Sequence, residues 1–86
     1  VIKFTDKMPE IGTDVIVVRV VGEEFTVFEG ILEPDGLYVF SVIEGTYIDG
    51  YDIELVEEIK DELFWIDKKD FLMKHMTNKL FNKMFG

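Results

Sequence analysis

The sequence predicts an α+β fold: an antiparallel meander sheet of four to five strands, with a C-terminal amphipathic helix packed on one face. Three observations lead to it. Residues 14–43 hold three runs rich in β-branched and aromatic residues, separated by tight-turn residues. Residues 67–85 switch to helical spacing of their apolar positions. The chain has 86 residues, 48% of them hydrophobic, which is enough for one core and too little for two. A single domain over 1–86 is expected, with an acidic sheet body over 1–66 and a helix over 67–85.

The opening segment, Lys3 to Gly12, reads as extended, with Pro9 and Gly12 marking loop. Asp14 to Val21 reads as a strand because its valines and isoleucine are β-branched. Both of its faces are apolar except at Arg19, which places it inside the sheet. Gly22-Glu23 supplies a two-residue hairpin turn with glycine first. Glu24 to Leu32 returns, with Phe25, Val27, Glu29 and Ile31 on one face and Thr26, Phe28, Gly30 and Leu32 on the other. Glu33-Pro34-Asp35-Gly36 is a turn signal, and Leu37 to Ile43 is the third strand.

Glu44-Gly45 and Asp49-Gly50 punctuate the next stretch and leave Thr46-Tyr47-Ile48 as a short extended piece. Residues 51–63 carry two patterns at once. Tyr51, Ile53 and Leu55 alternate with acids as in a strand, while Ile53, Val56, Ile59 and Leu63 recur near helical spacing. The expectation is a strand to about Val56, then a turn or short helix, then a strand at Leu63–Ile66. Asp67 suits a helix N-cap, with Asp70 in the first turn and Lys74, Lys79 and Lys83 toward the negative end. Leu72, Met73, Met76, Leu80 and Met84 form a stripe expected to pack on the sheet, and Phe71, Phe81 and Phe85 fall off it.

Charge is uneven along the chain. Eighteen acids against nine bases give −9. Residues 10–62 hold fifteen acids against Arg19 and Lys60, whereas residues 63–86 hold five lysines against Asp67 and Asp70. An acidic body repels nucleic acid and anionic membranes and attracts basic protein surfaces. No apolar run reaches the roughly 20 residues of a membrane span. The absence of cysteine suits a reducing cytoplasm and leaves no disulfide to support the core.

The parts for catalysis are scarce. A hydrolytic site needs a nucleophile, a base and an orienting acid, and the chain offers one serine, Ser41, in a strand and one histidine, His75, on the tail. No phosphate-cradling glycine loop or calcium-loop pattern is present, so neither cofactor nor metal is expected. The acids Asp49, Asp52, Glu54, Glu57, Glu58, Asp61 and Glu62 are the densest charge cluster. They serve either as a solubilising face or as carboxylates standing in for the phosphates of nucleic acid on a basic protein.

Phe4-Thr5-Asp6-Lys7-Met8-Pro9-Glu10-Ile11-Gly12 followed by Val15-Ile16-Val17-Val18 resembles the opening of a family of phage and prophage proteins (domain of unknown function 551). Those begin with a tryptophan-rich strand, an acid, Leu/Met-Pro, a glycine and a Val/Leu-rich strand. Phe64-Trp65 is similar to the aromatic pair near that family's end. Phe4 stands where tryptophan is usual, no histidine precedes Trp65, and a lysine-rich segment follows where a proline-rich tail is usual. The resemblance implies a phage or mobile-element origin and no particular activity.

The resulting expectation is a non-enzymatic acidic protein that binds and modulates or inhibits a host protein in the cytoplasm. Its partner is expected to be basic, of the nucleic-acid-binding kind, and met through the acidic cluster and Phe71, Phe81 and Phe85. Direct nucleic-acid or membrane binding is not expected. The alternative is a structural or assembly module that forms a homodimer through its C-terminal helix.

Overall fold

The computed structural model describes residues 1–73. Its strands are β1 (Ile2–Lys3), β2 (Asp14–Val21), β3 (Glu24–Glu33), β4 (Gly36–Glu44), β5 (Gly50–Asp52) and β6 (Leu63–Asp67). Between β5 and β6 lie helix α1 (Ile53–Glu58) and a single 3₁₀ turn (Lys60–Glu62). The strands make one antiparallel sheet in the order β1-β6-β2-β3-β4-β5. The meander β2-β3-β4 is as the turn residues predict. Gly22 takes the left-handed conformation in the first hairpin, with φ 62°, as that tight turn requires.

Three expectations are corrected. The sheet has six strands, because Ile2–Lys3 pairs with β6 and adds an edge that a two-residue run cannot announce. Thr46 to Ile48 is not a strand; the pairing falls later, at Gly50–Asp52. Ile53 to Val56 is helical rather than extended. The helical pattern prevails there because Asp52 caps the helix, its Oδ1 accepting from the Leu55 N–H at 2.8 Å. Val56 and Ile59 are then buried on one side of the turn. The helix stops at Ile59, whose N–H bonds the Leu55 carbonyl.

One face of the sheet carries the core. Val15 and Val17 of β2, Phe28 and Leu32 of β3, Leu37 of β4, Tyr51 of β5 and Leu63 and Trp65 of β6 are buried on it. The lid over them is built from Phe4, Val56 and Ile59, with Met8, Ile48 and Leu55 packed at its margin. The N-terminal loop is tied down by backbone and side chain. Phe4 N–H donates to the Leu63 carbonyl at 3.0 Å, and Trp65 Nε1 donates to the Lys7 carbonyl at 2.7 Å. Among the described residues every buried side-chain polar atom has a partner.

Residues 68–73 are helical, started by Asp67, whose Oδ1 accepts from the Lys69 N–H at 2.8 Å. The remainder of the expected helix lies outside the described residues, with His75, Met76, Leu80, Phe81, Met84 and Phe85.

Candidate functional site

The second face of the sheet, here called the outer face, has no comparable lid among the described residues. Register defines it. Phe64 faces Val18, Val18 faces Val27, and Val27 pairs with Glu44, while Val20 faces Phe25 in the next row. Two bulges in β4 shift its pairing between Val27 and Phe28 and between Glu29 and Gly30. They let both Val39 and Val42 point into the core, three residues apart, so Phe40 and Ile43 are the residues left over on the outer side. Phe25, Phe40 and Ile43 are 50%, 55% and 53% exposed. Lone exposed apolar residues are ordinary, whereas several share this one sheet face, with acids at its margin. Glu23, Glu24 and Glu44 are the exposed acids at that margin.

One corner of the outer face is covered. Ile16, between Ile66 and Glu29, is buried, and Lys68 forms an ion pair with Glu29 there. Hydrogen bonding to Glu29 raises the Lys68 ammonium above its ordinary pKa. Desolvation opposes it, and attraction to Glu29 and Asp14 adds to it. The helical turn at 68–73 therefore starts over this corner. Phe71 is half-buried, while Leu72 and Met73 are exposed.

The seven clustered acids lie elsewhere. They belong to β5, α1, the 3₁₀ turn and the loop before them, on the side of the sheet that carries the core lid. Four are engaged in local structure. Asp52 caps α1, Asp49 accepts from the Tyr47 hydroxyl, Glu57 pairs with Lys60 at 2.5 Å, and Glu62 receives Arg19 Nε and Nη2 at 3.1 and 3.0 Å. Glu54, Glu58 and Asp61 remain as exposed carboxylates. Arg19 closes the end of the core face, with its guanidinium carbon 5.3 Å from the Tyr51 ring centroid. Desolvation pulls its pKa down, but hydrogen bonds to Tyr51 and Glu62 outweigh that and raise it.

Two grooves lined by described residues carry no catalytic set. One of about 480 Å³ runs between Gly12–Asp14 and Asp67–Lys69 and reaches Leu72. Another of about 360 Å³ lies beside Ile2, Lys7, Glu10, Trp65 and Asp70. Neither is lined by serine, cysteine or histidine. Ser41 is an exposed sheet residue opposite Glu29. Among the described residues no three His, Cys, Asp or Glu side chains group to hold a metal ion, and no helix is long and apolar enough to cross a membrane.

The structure thus separates the expected binding residues. The acidic cluster sits on the lid side and Phe71 follows β6 at the start of the helical turn, while Phe81 and Phe85 lie outside the described residues. The band of Val20, Phe25, Phe40 and Ile43 was not singled out by sequence. Part of its signal is there, since β3 is apolar on both faces; the bulges that expose Phe40 and Ile43 leave no mark in the residue pattern. Comparison with known protein families, curated proteins and solved structures finds no match to this chain.

Proposed function

We propose that this chain is a non-enzymatic acidic module that binds and modulates a protein partner, docking it on the outer sheet face. The observation that carries the reading is the uncovered band around Val20, Phe25, Phe40 and Ile43, opposite a face whose equivalent residues are buried. Its occupant is an apolar segment flanked by basic residues, because the surrounding surface is acidic and like charges at an interface cost affinity. β6 to β4 spans three inter-strand spacings, about 14 Å, which accommodates one helix of roughly 10 Å diameter. The resemblance to phage proteins makes a host protein the source of such a segment, and this part rests on the resemblance alone. The helical turn at 68–73 is read as continuing toward residue 85.

The test is a titration with a synthetic amphipathic peptide of leucine and lysine at helical spacing, followed by backbone amide chemical shifts. Shifts should concentrate at Val20, Phe25, Val27, Phe40 and Ile43, and Phe40→Glu should weaken binding at least tenfold. Shifts confined to α1 and the 3₁₀ turn would move the site to the acidic cluster. Absence of any binding would remove the reading.

A further inference from the structure

The core face is closed by Phe4, Val56 and Ile59, which leaves the outer face as the open apolar side of the sheet among the described residues. We propose that the chain's own C-terminal segment, residues 74–86, lies over the band of Val20, Phe25, Phe40 and Ile43 and is displaced when the partner docks. The inference rests on the docking reading above and adds its regulation: the site carries a tethered competitor with the same chemistry as its ligand.

Residues 74–86 lie outside the described residues, and the chain enters them from the outer side of the sheet. Lys68 pairs there with Glu29. Ser41 is the β4 partner of Glu29, so Phe40 stands about one strand spacing, 5 Å, from the place that Lys68 has reached. Phe25 is four residues from Glu29 along β3, about 13 Å. Thirteen residues follow Met73. They span about 20 Å at the rise of a helix and about 43 Å extended, so the band is within reach in either conformation.

Composition fits the face. Residues 74–86 hold Lys74, Lys79 and Lys83 and no acid, interspersed with Met76, Leu80, Phe81, Met84 and Phe85. The acidic margin of Glu23, Glu24 and Glu44 selects that combination of apolar and basic residues. Lys68 on Glu29 is one such contact already made.

The tether decides between this segment and the same segment of a second copy. A second copy meets the face at the concentration of the protein, whereas a segment joined directly to the sheet acts at an effective concentration on the order of millimolar. In micromolar solution the chain's own segment is favoured by about a thousandfold. A closed-to-open ratio of about ten is worth about 1.4 kcal/mol over the whole contact, small beside the core. It lowers the apparent affinity for an added ligand about tenfold, because only the open fraction binds.

The chain has no cysteine, so Asn78→Cys gives a single attachment point for a nitroxide spin label on the full chain. Amide signals of Val20, Phe25, Val27, Phe40 and Ile43 should broaden, and those of α1 should not. Saturating leucine–lysine peptide should restore them. Lys74→Glu with Lys79→Glu and Lys83→Glu should remove the broadening and tighten peptide binding about tenfold. Signals that stay sharp in the spin-labelled chain would overturn the inference, as would broadening that persists under saturating peptide. A mixture of spin-labelled chain with isotope-labelled chain lacking the nitroxide should stay sharp; broadening there would make a second copy the occupant and overturn it too. Sharp signals in a chain that still binds the peptide on the band would leave the docking reading standing. Broadening in a chain whose triple variant binds no peptide would remove the docking reading and leave the segment as a permanent cover.

Discussion

The two faces of this sheet are built from nearly the same residues and meet different fates. On β2, Val15 and Val17 are completely buried while Val20, on the other face, is 37% exposed. On β3, Phe28 is buried and Phe25 is half in solvent. The difference lies in what the rest of the chain lays over each face. Phe4, Val56 and Ile59 close the core face, and the described residues place only the turn at 68–73 over a corner of the outer one. Residue type says that a strand is apolar on both sides; it does not say which side the chain returns to cover.

The sharpest way to test the contrast is to truncate one aromatic on each face. Phe28 is fully buried at the centre of the core cluster. Phe28→Ala should cost about 3–5 kcal/mol, a large share of the stability of a domain this small. Phe40→Ala, on the outer side next to core-packed Val39, should stay within about 0.5 kcal/mol by urea denaturation. Equal losses at the two positions would mean that the outer face is also packed in solution.

A second, smaller effect concerns the spacing that lets the bulges form. Gly30 faces Val39, and a Cβ placed on it would lie 2.6 Å from the Tyr38 carbonyl oxygen. That oxygen belongs to the β4 backbone, so Gly30→Ala must push the two strands apart. About 1–3 kcal/mol of destabilisation is expected. For a domain of this size, each kcal/mol lowers the melting temperature by roughly 4–8 °C. Because the bulges present Phe40 and Ile43, the same variant should also weaken peptide binding more than its stability loss explains.

These tests separate what the residue pattern carries from what it does not. The meander was legible because Gly22-Glu23 and Pro34-Asp35 are turn chemistry and β2 is almost wholly β-branched. The helical turn at 68–73 was legible through Asp67, which caps it. Ile53–Val56 was misread because alternation and helical spacing coexist there, and the capping bond from Asp52 plus burial of Val56 tips the balance. The apolar band was hidden for a different reason. Whether Phe40 faces core or solvent depends on one extra residue in β4, and a one-residue shift moves a side chain to the other face. The seven acids were legible as a cluster, but their engagement with Arg19, Lys60, Tyr47 and the α1 N-terminus is a property of the folded chain.

A third prediction sits at the end of the core face. Arg19 and Glu62 are paired with side chains 28% and 32% exposed, so solvent screening limits the pair to about 1 kcal/mol. Arg19→Met keeps the aliphatic packing against Tyr51 and removes the charge. Its coupling with Glu62→Gln, read from a double-mutant cycle in urea, should be favourable and should shrink in high salt. A coupling of zero would make Arg19 a packing residue alone.

The smallest expected effect is on the outer side of β4, where Tyr38 donates its hydroxyl hydrogen to Asp35 Oδ2 at 2.6 Å. That hydrogen bond, and then the negative charge of Asp35, raise the phenol pKa above its ordinary 10.0. The folded state therefore holds the phenolic proton more tightly than the unfolded chain does. The resulting contribution to stability is fully present below about pH 10, the unfolded value, and is lost as pH rises through the higher folded value. Absorbance at the phenolate band should show Tyr38 ionising late, and Asp35→Asn should bring it earlier by removing both the charge and the carboxylate acceptor. Tyr47, raised in the same way by Asp49, should be unaffected by that change and serves as the internal control. An occupant lying over Phe40 and Ile43 would bring lysines toward the same edge and favour the phenolate. Tyr38 should then ionise earlier in a complex with the leucine–lysine peptide than in the free chain, and an unshifted Tyr38 would place the peptide away from this end of the outer face.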